Sequence, residues 1–413
     1  MKIIAAIIGG GKGKRLKNTF DKQKFLIKIK KKKLIDTQIK YIKKSKRIKK
    51  IYLSINSKNL IDIEIKNIFK KKIYSLIENK PLGTAGCLSP LLNEKFDHVL
   101  VVFGDLLLNF DFKKFIEFHI KKRSVCSIVV HPNDHPYDSD MVEIHNEKVV
   151  KFYNKPHKKK LYIKNRCLSG IFIFKRNILE LIKKNCKFDI SKDLLPEIIK
   201  KNINIFAFEN INFIKDIGTP KRLKEAKKTE IFNFKNRPAI FLDRDGVINK
   251  EYKNEKFSNP LNIFSDTIHA LRLINKSKYL SIIITNQPAV AKNFITEKKL
   301  NNLHNKLEYK LGKKNVFLND IFYCPHHPQK GFKNENKSLK INCNCRKPRI
   351  GLIQIAKFKY NVDLNNSYFI GNSRTDFLTA KSAGIKPIMI KKKIQGVKNF
   401  KSLLPAIQYI IKK

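Results

Sequence analysis

Short unbroken apolar runs, separated by lysine-rich polar stretches, set the pattern of this chain. Lys2 to Ile8 is one such run and breaks off directly into glycines. Ile240 to Leu242 is another and ends in Asp243 and Asp245, with Gly246 behind them. Leu280 to Gln287 (LSIIITNQ) ends in Thr285 and Asn286, and Tyr368 to Asp376 (YFIGNSRTD) runs into an acidic loop. Runs of this length bounded by turn residues predict buried strands. Open α/β sheets bind ligands beyond the carboxyl ends of their strands, so the polar residues closing these runs are the first candidates for chemistry. Between the two sets of strands, Ala226 to Pro238 is polar, lysine-rich and closed by a proline. It reads as a linker. The expected division is a first domain over 1–228, a linker over 229–237 and a second domain over 238–413. The halves carry different motifs, and no internal repeat is visible.

The chain has 413 residues and a formal net charge of +54. Such a charge raises the question of nucleic acid. The lysines, however, are spread from end to end, and Ile, Asn and Phe are abundant beside them. All four have A/T-rich codons, so biased composition is the simpler cause and no specific nucleic-acid partner is expected. A basic nucleic-acid-binding protein with degenerate enzyme domains is the alternative from another class. The charge still favours phosphorylated substrates. No apolar run approaches the ~20 residues of a membrane span, and the N-terminal IIAAII is too short for a signal segment. No membrane partner is expected, and seven cysteines, three of them clustered near one histidine, fit a reducing cytoplasm and a metal site.

Three stretches carry candidate chemistry. In FLDRDGVIN, Asp243 and Asp245 stand two residues apart at a sharp turn, where one carboxylate can serve as nucleophile or metal ligand and the other as general acid/base. A turn that merely favours Asp and Gly is the plainer alternative. In GGGKGKRL, Gly10, Gly11 and Gly13 would let the backbone approach phosphates, and Lys12, Lys14 and Arg15 add positive charge. The stretch lacks both the G-K-[ST] of a Walker loop and the third glycine of a dinucleotide fingerprint. Cys324, His326, Cys343 and Cys345 form C-x-H followed by C-x-C, a set that suits tetrahedral Zn²⁺. With all four positions filled by protein, the zinc is expected to be structural and to pin the loop carrying Arg346 and Lys347. His327 is the adjacent alternative ligand.

GGGKGKRL resembles the GGxGTRL signature of sugar-1-phosphate nucleotidyltransferases, and further matches follow in that family's order. QKFLIKI places Lys24 in the family's lysine position, and ENKPLGTAGCL, with Gly83 and Thr84, is similar to the loop that holds the nucleotide base. VVFGDLLLNFD offers Asp105 as a Mg²⁺ ligand, and FIKDIGTPKRL offers Asp216 as a second. FYNKP retains Lys155, and SGIFIF, with Gly170, resembles the segment lining the sugar pocket. The resemblance implies that Arg15 and Lys24 hold the triphosphate, Asp105 and Asp216 hold magnesium, and Lys155 grips the sugar phosphate. Lys14 stands where the family usually has Thr, Asn154 where it has Glu, and Leu168 where relatives often carry Asn. In the reaction, a sugar phosphate oxygen attacks the α-phosphorus of a nucleoside triphosphate and pyrophosphate leaves. Crowded negative charge then calls for Mg²⁺, fixed cations and backbone N–H groups.

From Pro238 the chain resembles the haloacid dehalogenase superfamily of phosphatases. Together, FLDRDGVIN, TNQ, YCPHHP and CNCRKP look like the D-glycero-D-manno-heptose 1,7-bisphosphate 7-phosphatases, and histidinol-phosphate phosphatases share much of the pattern. The resemblance implies Asp243 as nucleophile, Asp245 as the acid/base, and Thr285, Asn286, Arg346 and Lys347 as phosphoryl-binding groups. It implies a Mg²⁺ site at Asp243, Asp245 and residue 372, and it favours His326 over His327 in the zinc set. At 372 the family carries Asp; this chain has Asn372, with Asp376 retained. An amide oxygen coordinates without charge, so weaker magnesium binding is expected.

The expected architecture is two Rossmann-like three-layer α/β domains, a nucleotidyltransferase resembling the glycosyltransferase-A fold and a phosphatase with a zinc loop. The expected substrates are sugar phosphates and a nucleoside triphosphate, GTP before ATP, in a route to a nucleotide-activated heptose. A different hexose 1-phosphate paired with a histidinol-phosphate or other sugar-phosphate phosphatase is the alternative within enzymes.

Overall fold

The structure is a computed structural model that describes residues 1–10, 20, 22–157, 160–183, 185–210, 213–228, 236–251, 261–329, 331 and 334–412. The chain forms two compact units. One comprises Met1–His131, Ser139–Pro156 and Arg166–Asn233; the other comprises Pro132–Asp138, His157–Asn165 and Phe234–Lys413. The division expected from sequence ran in uninterrupted stretches. Here two short segments of the first half, 132–138 and 157–165, cluster with the second unit instead.

In the first unit the strands are β1 (Ile3–Ile8), β2 (Lys28–Ile29), β3 (Lys32–Lys33), β4 (Ile48–Asn56), β5 (Tyr74–Glu78), β6 (His98–Phe103), β7 (Leu106–Leu108), β8 (Cys126–His131), β9 (Met141–His145), β10 (Lys148–Tyr153), β11 (Cys167–Lys175), β12 (Ile205–Glu209) and β13 (Ile214–Asp216). Nine of them form one sheet in the order β5-β4-β1-β6-β11-β8-β12-β10-β9. The strands β5, β4, β1 and β6 run parallel, and β11 enters antiparallel beside β6. Period-two alternation explains why β1 is apolar throughout. Ile3, Ala5 and Ile7 join one buried cluster, with Ile35, Ile39 and Ile42 of the helix Leu34–Lys43. Ile4 and Ala6 join another, with Leu195 and Ile198 of the helix Leu195–Lys200. Both faces of the sheet are therefore covered.

The second unit holds β14 (Arg237–Leu242), β15 (Leu280–Asn286), β16 (Asp320–Cys324), β17 (Val362–Gly371), β18 (Lys386–Ile390) and β19 (Asn399–Phe400). They form a six-stranded, wholly parallel sheet in the order β16-β15-β14-β17-β18-β19. Ile240 and Leu242 pack with Ala270, Leu271 and Ile274 of the helix Thr267–Lys276 and with Ile407 and Ile410 of the helix Leu403–Lys412. On the opposite face, the rings of Phe241 and Phe369 stack with centroids 6.4 Å apart. The sheet order brings the ends of β14, β15 and β17 side by side. The two-unit α/β expectation thus holds. Among the described residues, no helix is long and apolar enough to cross a membrane.

Candidate active sites

At the end of β14, the Asp243 carboxylate is nearly enclosed. Its Oδ1 accepts from the Arg244 backbone N–H at 2.8 Å and pairs with the Lys347 ammonium at 2.9 Å. The same ammonium donates to Asp376 Oδ1 at 2.6 Å. Burial raises the Asp243 carboxyl above the ordinary range despite the pull of Lys347, and Asp376 and Asp245 add to the rise. Lys347 keeps its charge, because burial opposes it but two carboxylates outweigh that cost. A pocket of about 190 Å³ opens here, lined by Asp243, Asp245, Glu251, Thr285, Asn286, Lys347, Asn372, Ser373 and Thr375.

Asp245 is held from four directions. Arg244, fully buried, reaches it with Nε at 3.1 Å and Nη2 at 2.7 Å. Asn249 Nδ2 donates at 2.9 Å and Gln287 Nε2 at 2.8 Å. Burial pushes the Asp245 carboxyl up, but the Arg244 charge and these hydrogen bonds outweigh it and leave it lowered. Arg244 is itself fixed by the His304 ring at 2.9 Å and by Gln287 Oε1 at 3.0 Å. Both side-chain oxygens of Asp245 thus already accept hydrogen bonds, from Arg244, Asn249 and Gln287.

The neighbouring strand ends divide their work. Thr285 Oγ1 accepts from Gln287 Nε2 at 3.0 Å, which leaves its O–H to donate. Asn286 was expected to meet a phosphoryl group. It lines the pocket, and its amide also spans the backbone of Lys347, donating to the carbonyl at 3.1 Å and accepting from the N–H at 3.0 Å. Arg346 is not among the residues lining the pocket, and its Nη1 donates to the His326 carbonyl at 3.1 Å. Asp376 closes the capping box of the helix Arg374–Ser382 with Ser373. Its Oδ2 accepts from Ser373 Oγ at 2.6 Å, Ser373 N at 3.1 Å and Asn372 N at 3.2 Å. The remaining acidic position, 372, carries an amide that donates to Glu251 Oε1 at 2.9 Å. Asp243 and the Asn372 carbonyl oxygen are hard oxygen donors of the kind magnesium takes, with the Glu251 carboxylate beside them, so the residues present fit that ion.

The ligand atoms of Cys324, His326, Cys343 and Cys345 all lie within 4.8 Å of one another. Cys345 Sγ is 3.1 Å from Cys324 Sγ, 3.3 Å from Cys343 Sγ and 3.1 Å from His326 Nδ1. Three sulfurs and one imidazole gathered this closely are a donor set of the kind zinc takes. His327 stands apart, its Nδ1 accepting from the Gln329 N–H at 3.2 Å.

In the first unit, Gly11, Gly13 and Arg15 lie outside the described residues, as do Lys12 and Lys14. Gly10 packs against Glu78, so a Cβ there would sit 2.4 Å from Glu78 Oε1. Lys24 Nζ donates to Asp105 Oδ2 at 3.1 Å. Strand β13 pairs with β7, with Asp216 opposite Leu106, and so comes beside Asp105. A Cβ on Gly218 would lie 3.4 Å from Asp216 Oδ1, 3.7 Å from Lys24 Nζ and 3.9 Å from Asp105 Oδ2. The glycine keeps that cradle open, and two carboxylates there fit a divalent cation. Arg222 Nη1 also donates to Asp216 Oδ1 at 2.6 Å, a partner the sequence reading missed. Gly83 has φ +82°, and a Cβ there would meet the Phe188 carbonyl oxygen at 2.6 Å. Thr84 Oγ1 donates to Asp189 Oδ1 at 3.2 Å and accepts from Ile190 N at 2.8 Å, so this threonine braces its loop. Gly170, also at φ +82°, lies against the Phe103 ring. Lys155 is held by its backbone N–H on Asp140 Oδ1 at 3.0 Å. Asn154 Oδ1 and Ser169 Oγ are buried without a protein partner among the described residues.

The residues of these sites that the sequence alone does not point to are Arg244, Asn249, Gln287, His304 and Glu251 in the second unit and Arg222 in the first. Arg244 and Gln287 stand inside the DRDG and TNQ motifs, but the burial that ties them to Asp245 shows only in the fold.

An Asp-x-Asp pair ending a central parallel strand, with a buried lysine and a hydroxyl on the adjoining elements, defines the second unit as an α/β enzyme of phosphoryl chemistry. Residues 4–231 match the family described as nucleotidyl transferase, and residues 239–386 match that described as polynucleotide kinase 3 phosphatase. Over 151 residues the chain is 34% identical to the D-glycero-β-D-manno-heptose-1,7-bisphosphate 7-phosphatase of Salmonella typhi, covering 37% of this chain and 78% of the relative. It is 38% identical over 147 residues to the D-glycero-α-D-manno-heptose-1,7-bisphosphate 7-phosphatase of Photorhabdus laumondii, covering 36% and 78%. Among solved structures, HddC from Yersinia pseudotuberculosis is 26% identical, covers 55% of this chain and 99% of its own, and gives a TM-score of 0.46. The chain thus belongs to the nucleotidyl transferase family through its first half and to the family of heptose-1,7-bisphosphate 7-phosphatases through its second. It is an enzyme of both types.

Proposed function

We propose that the chain makes a nucleotide-activated heptose by two reactions. Its second unit removes the 7-phosphate of a heptose 1,7-bisphosphate. Its first unit transfers a nucleotidyl group from a nucleoside triphosphate, GTP before ATP, to the resulting heptose 1-phosphate. The observation that carries this proposal is the union, in one chain, of a nucleotidyl transferase with relatives named for the bisphosphate. The product of one reaction is then the acceptor of the other. The preference for GTP rests on the sequence of the first half, which among sugar-1-phosphate nucleotidyltransferases looks most like the heptose 1-phosphate guanylyltransferases. The soluble intermediates suit a cytoplasmic setting.

In the phosphatase reaction, Asp243 attacks phosphorus through its unpaired oxygen, and the bond from phosphorus to the C7 oxygen breaks. Asp245, ionised in the free enzyme, would relay a proton from solvent to that oxygen, then take one from the water that hydrolyses the aspartyl phosphate. Lys347 and the Thr285 hydroxyl hold the phosphoryl oxygens, while Asn286 fixes Lys347 through its backbone. Zn²⁺ would be held by Cys324, His326, Cys343 and Cys345. In the transfer reaction, Lys24, with Arg15 and the glycines Gly10, Gly11 and Gly13, would hold the triphosphate, and Gly83 and Thr84 would shape the base pocket. Lys155 would hold the sugar phosphate, and Ser169, Gly170 and Asn154 would face the sugar. Mg²⁺ would be held by Asp105 and Asp216 in one unit and by Asp243, Asp245 and Asn372 in the other, supplying positive charge against crowded phosphate oxygens.

The test is incubation with both anomers of the 1,7-bisphosphate, GTP or ATP, and Mg²⁺, with products identified by mass. Inorganic phosphate, pyrophosphate and a nucleotide-heptose are expected. Turnover of a hexose 1-phosphate or histidinol phosphate, with none of the heptose, overturns the proposal.

A further inference from the structure

The second unit lacks a carboxylate at 372, and Asp376 does not replace it. Each Asp376 oxygen is already committed: Oδ1 to the Lys347 ammonium at 2.6 Å, and Oδ2 to Ser373 Oγ, Ser373 N and Asn372 N at 2.6, 3.1 and 3.2 Å. Freeing it would strip the cap from the helix Arg374–Ser382 and leave a buried lysine with one partner fewer. Asp245 is likewise engaged at both oxygens. Among the residues lining the pocket, one further carboxylate remains, and it belongs to Glu251.

Glu251 sits against the residue that lost its charge. Asn372 Nδ2 donates to Glu251 Oε1 at 2.9 Å. Gly246, at φ +82°, makes room for the pair: a Cβ there would lie 2.1 Å from Asn372 Nδ2 and 2.8 Å from Glu251 Oε1. An amide whose N–H₂ end is fixed on a carboxylate presents its carbonyl oxygen the other way, as an acceptor for a cation. The same carboxylate adds a full negative charge one hydrogen bond from that oxygen.

We propose that Glu251 is the compensating charge of the phosphatase cation site, a positioning residue that orients Asn372 and restores the anionic character an aspartate would give. The inference rests on the phosphatase reading of this pocket. The pair divides the work of one aspartate: Asn372 supplies the ligand oxygen, and Glu251 supplies the charge and the aim. The cation site is therefore less impoverished than the Asn372 substitution alone implies.

Mn²⁺ binding to the full chain, followed by the free-ion electron paramagnetic resonance signal, tests this without turnover. Mn²⁺ bound at this site is defined as the portion that Asp243→Asn removes. Glu251→Gln keeps an acceptor for Asn372 but loses the charge, and on the order of tenfold weaker binding of that portion is expected. Glu251→Ala loses both and should be weaker still. Adding Asn372→Asp to Glu251→Gln returns the charge to the other member of the pair and should recover wild-type affinity. Unchanged affinity in Glu251→Gln, or no recovery in the double variant, overturns the inference and leaves the phosphatase reading standing. If Asp243→Asn removes no Mn²⁺ from the wild-type chain, the cation site and the inference fall together.

Discussion

Asp245 shows how much of this chemistry depends on single side chains. Arg244, Asn249 and Gln287 together occupy both of its oxygens, so its orientation is set before substrate arrives. Gln287 also donates to Thr285, which ties the Asp245 carboxylate to the Thr285 hydroxyl. Gln287→Leu removes both bonds and also the one its Oε1 accepts from Arg244. A fall in kcat for phosphate release of about 10- to 100-fold is expected, a fraction of what general acid–base catalysis contributes. KM for the bisphosphate should move little, and an unchanged kcat would show that the bond does not position Asp245. Asp243, Asp245 and Lys347 were legible in sequence because each stands in a local motif at a strand end or loop. Gln287 was not, because its partner Asp245 lies 42 residues away, and Arg244, though next to Asp245, is fixed from the other side by His304, 60 residues on. Glu251 had no local signature at all, and its meaning depends on Asn372, 121 residues on.

Elements were more legible than the bonds between them. An apolar run such as Ile3–Ile8 can be satisfied only where both faces are covered, and β1 meets that condition. The metal loop was legible as a ligand set, but not its docking: Asn286 of β15 grips the Lys347 backbone two residues beyond Cys345. Cys343→Ser with Cys345→Ser should therefore abolish zinc, read by metal analysis. Phosphate release should fall at least tenfold while pyrophosphate release persists, and full phosphate release would separate the loop from Lys347. In the first unit, the helix Phe112–Lys121 carries a different liability. His119 is buried, its ring 2.8 Å from Ser127 Oγ and 3.0 Å from His98 Nδ1. Burial first, then His98, lowers its pKa to about 3 from an ordinary 6.5. Between those values the unfolded chain takes a proton that the folded one refuses. Stability is thus complete above pH 6.5 and is lost as pH falls toward 3, by up to about 1.4 kcal/mol per unit. Urea midpoints against pH should show that slope, and His119→Phe should flatten it.

At the scale of the whole molecule, two catalytic units in one chain make the order of reactions observable. Asp243→Asn, given the 1,7-bisphosphate with GTP and Mg²⁺, should yield no nucleotide-heptose, yet convert added heptose 1-phosphate at the wild-type rate. Asp105→Ala should release phosphate and accumulate heptose 1-phosphate instead. Identical product profiles from the two variants, measured by mass, would contradict the division of labour. The two-unit α/β plan was legible because the motif sets fall in separate halves. The assignment of 132–138 and 157–165 to the second unit was not. Short connecting segments carry no periodicity that tells which core they join.

The four-ligand cluster also has a redox side. Cys324, Cys343 and Cys345 hold their sulfurs 3.1–3.5 Å apart, close enough that a stripped site is poised for oxidation to a disulfide. Such a bond would distort the loop on which Lys347 rides, and damage would reach a phosphate-binding ammonium that never touches sulfur. Peroxide should then slow the phosphatase half before the nucleotidyl transferase half.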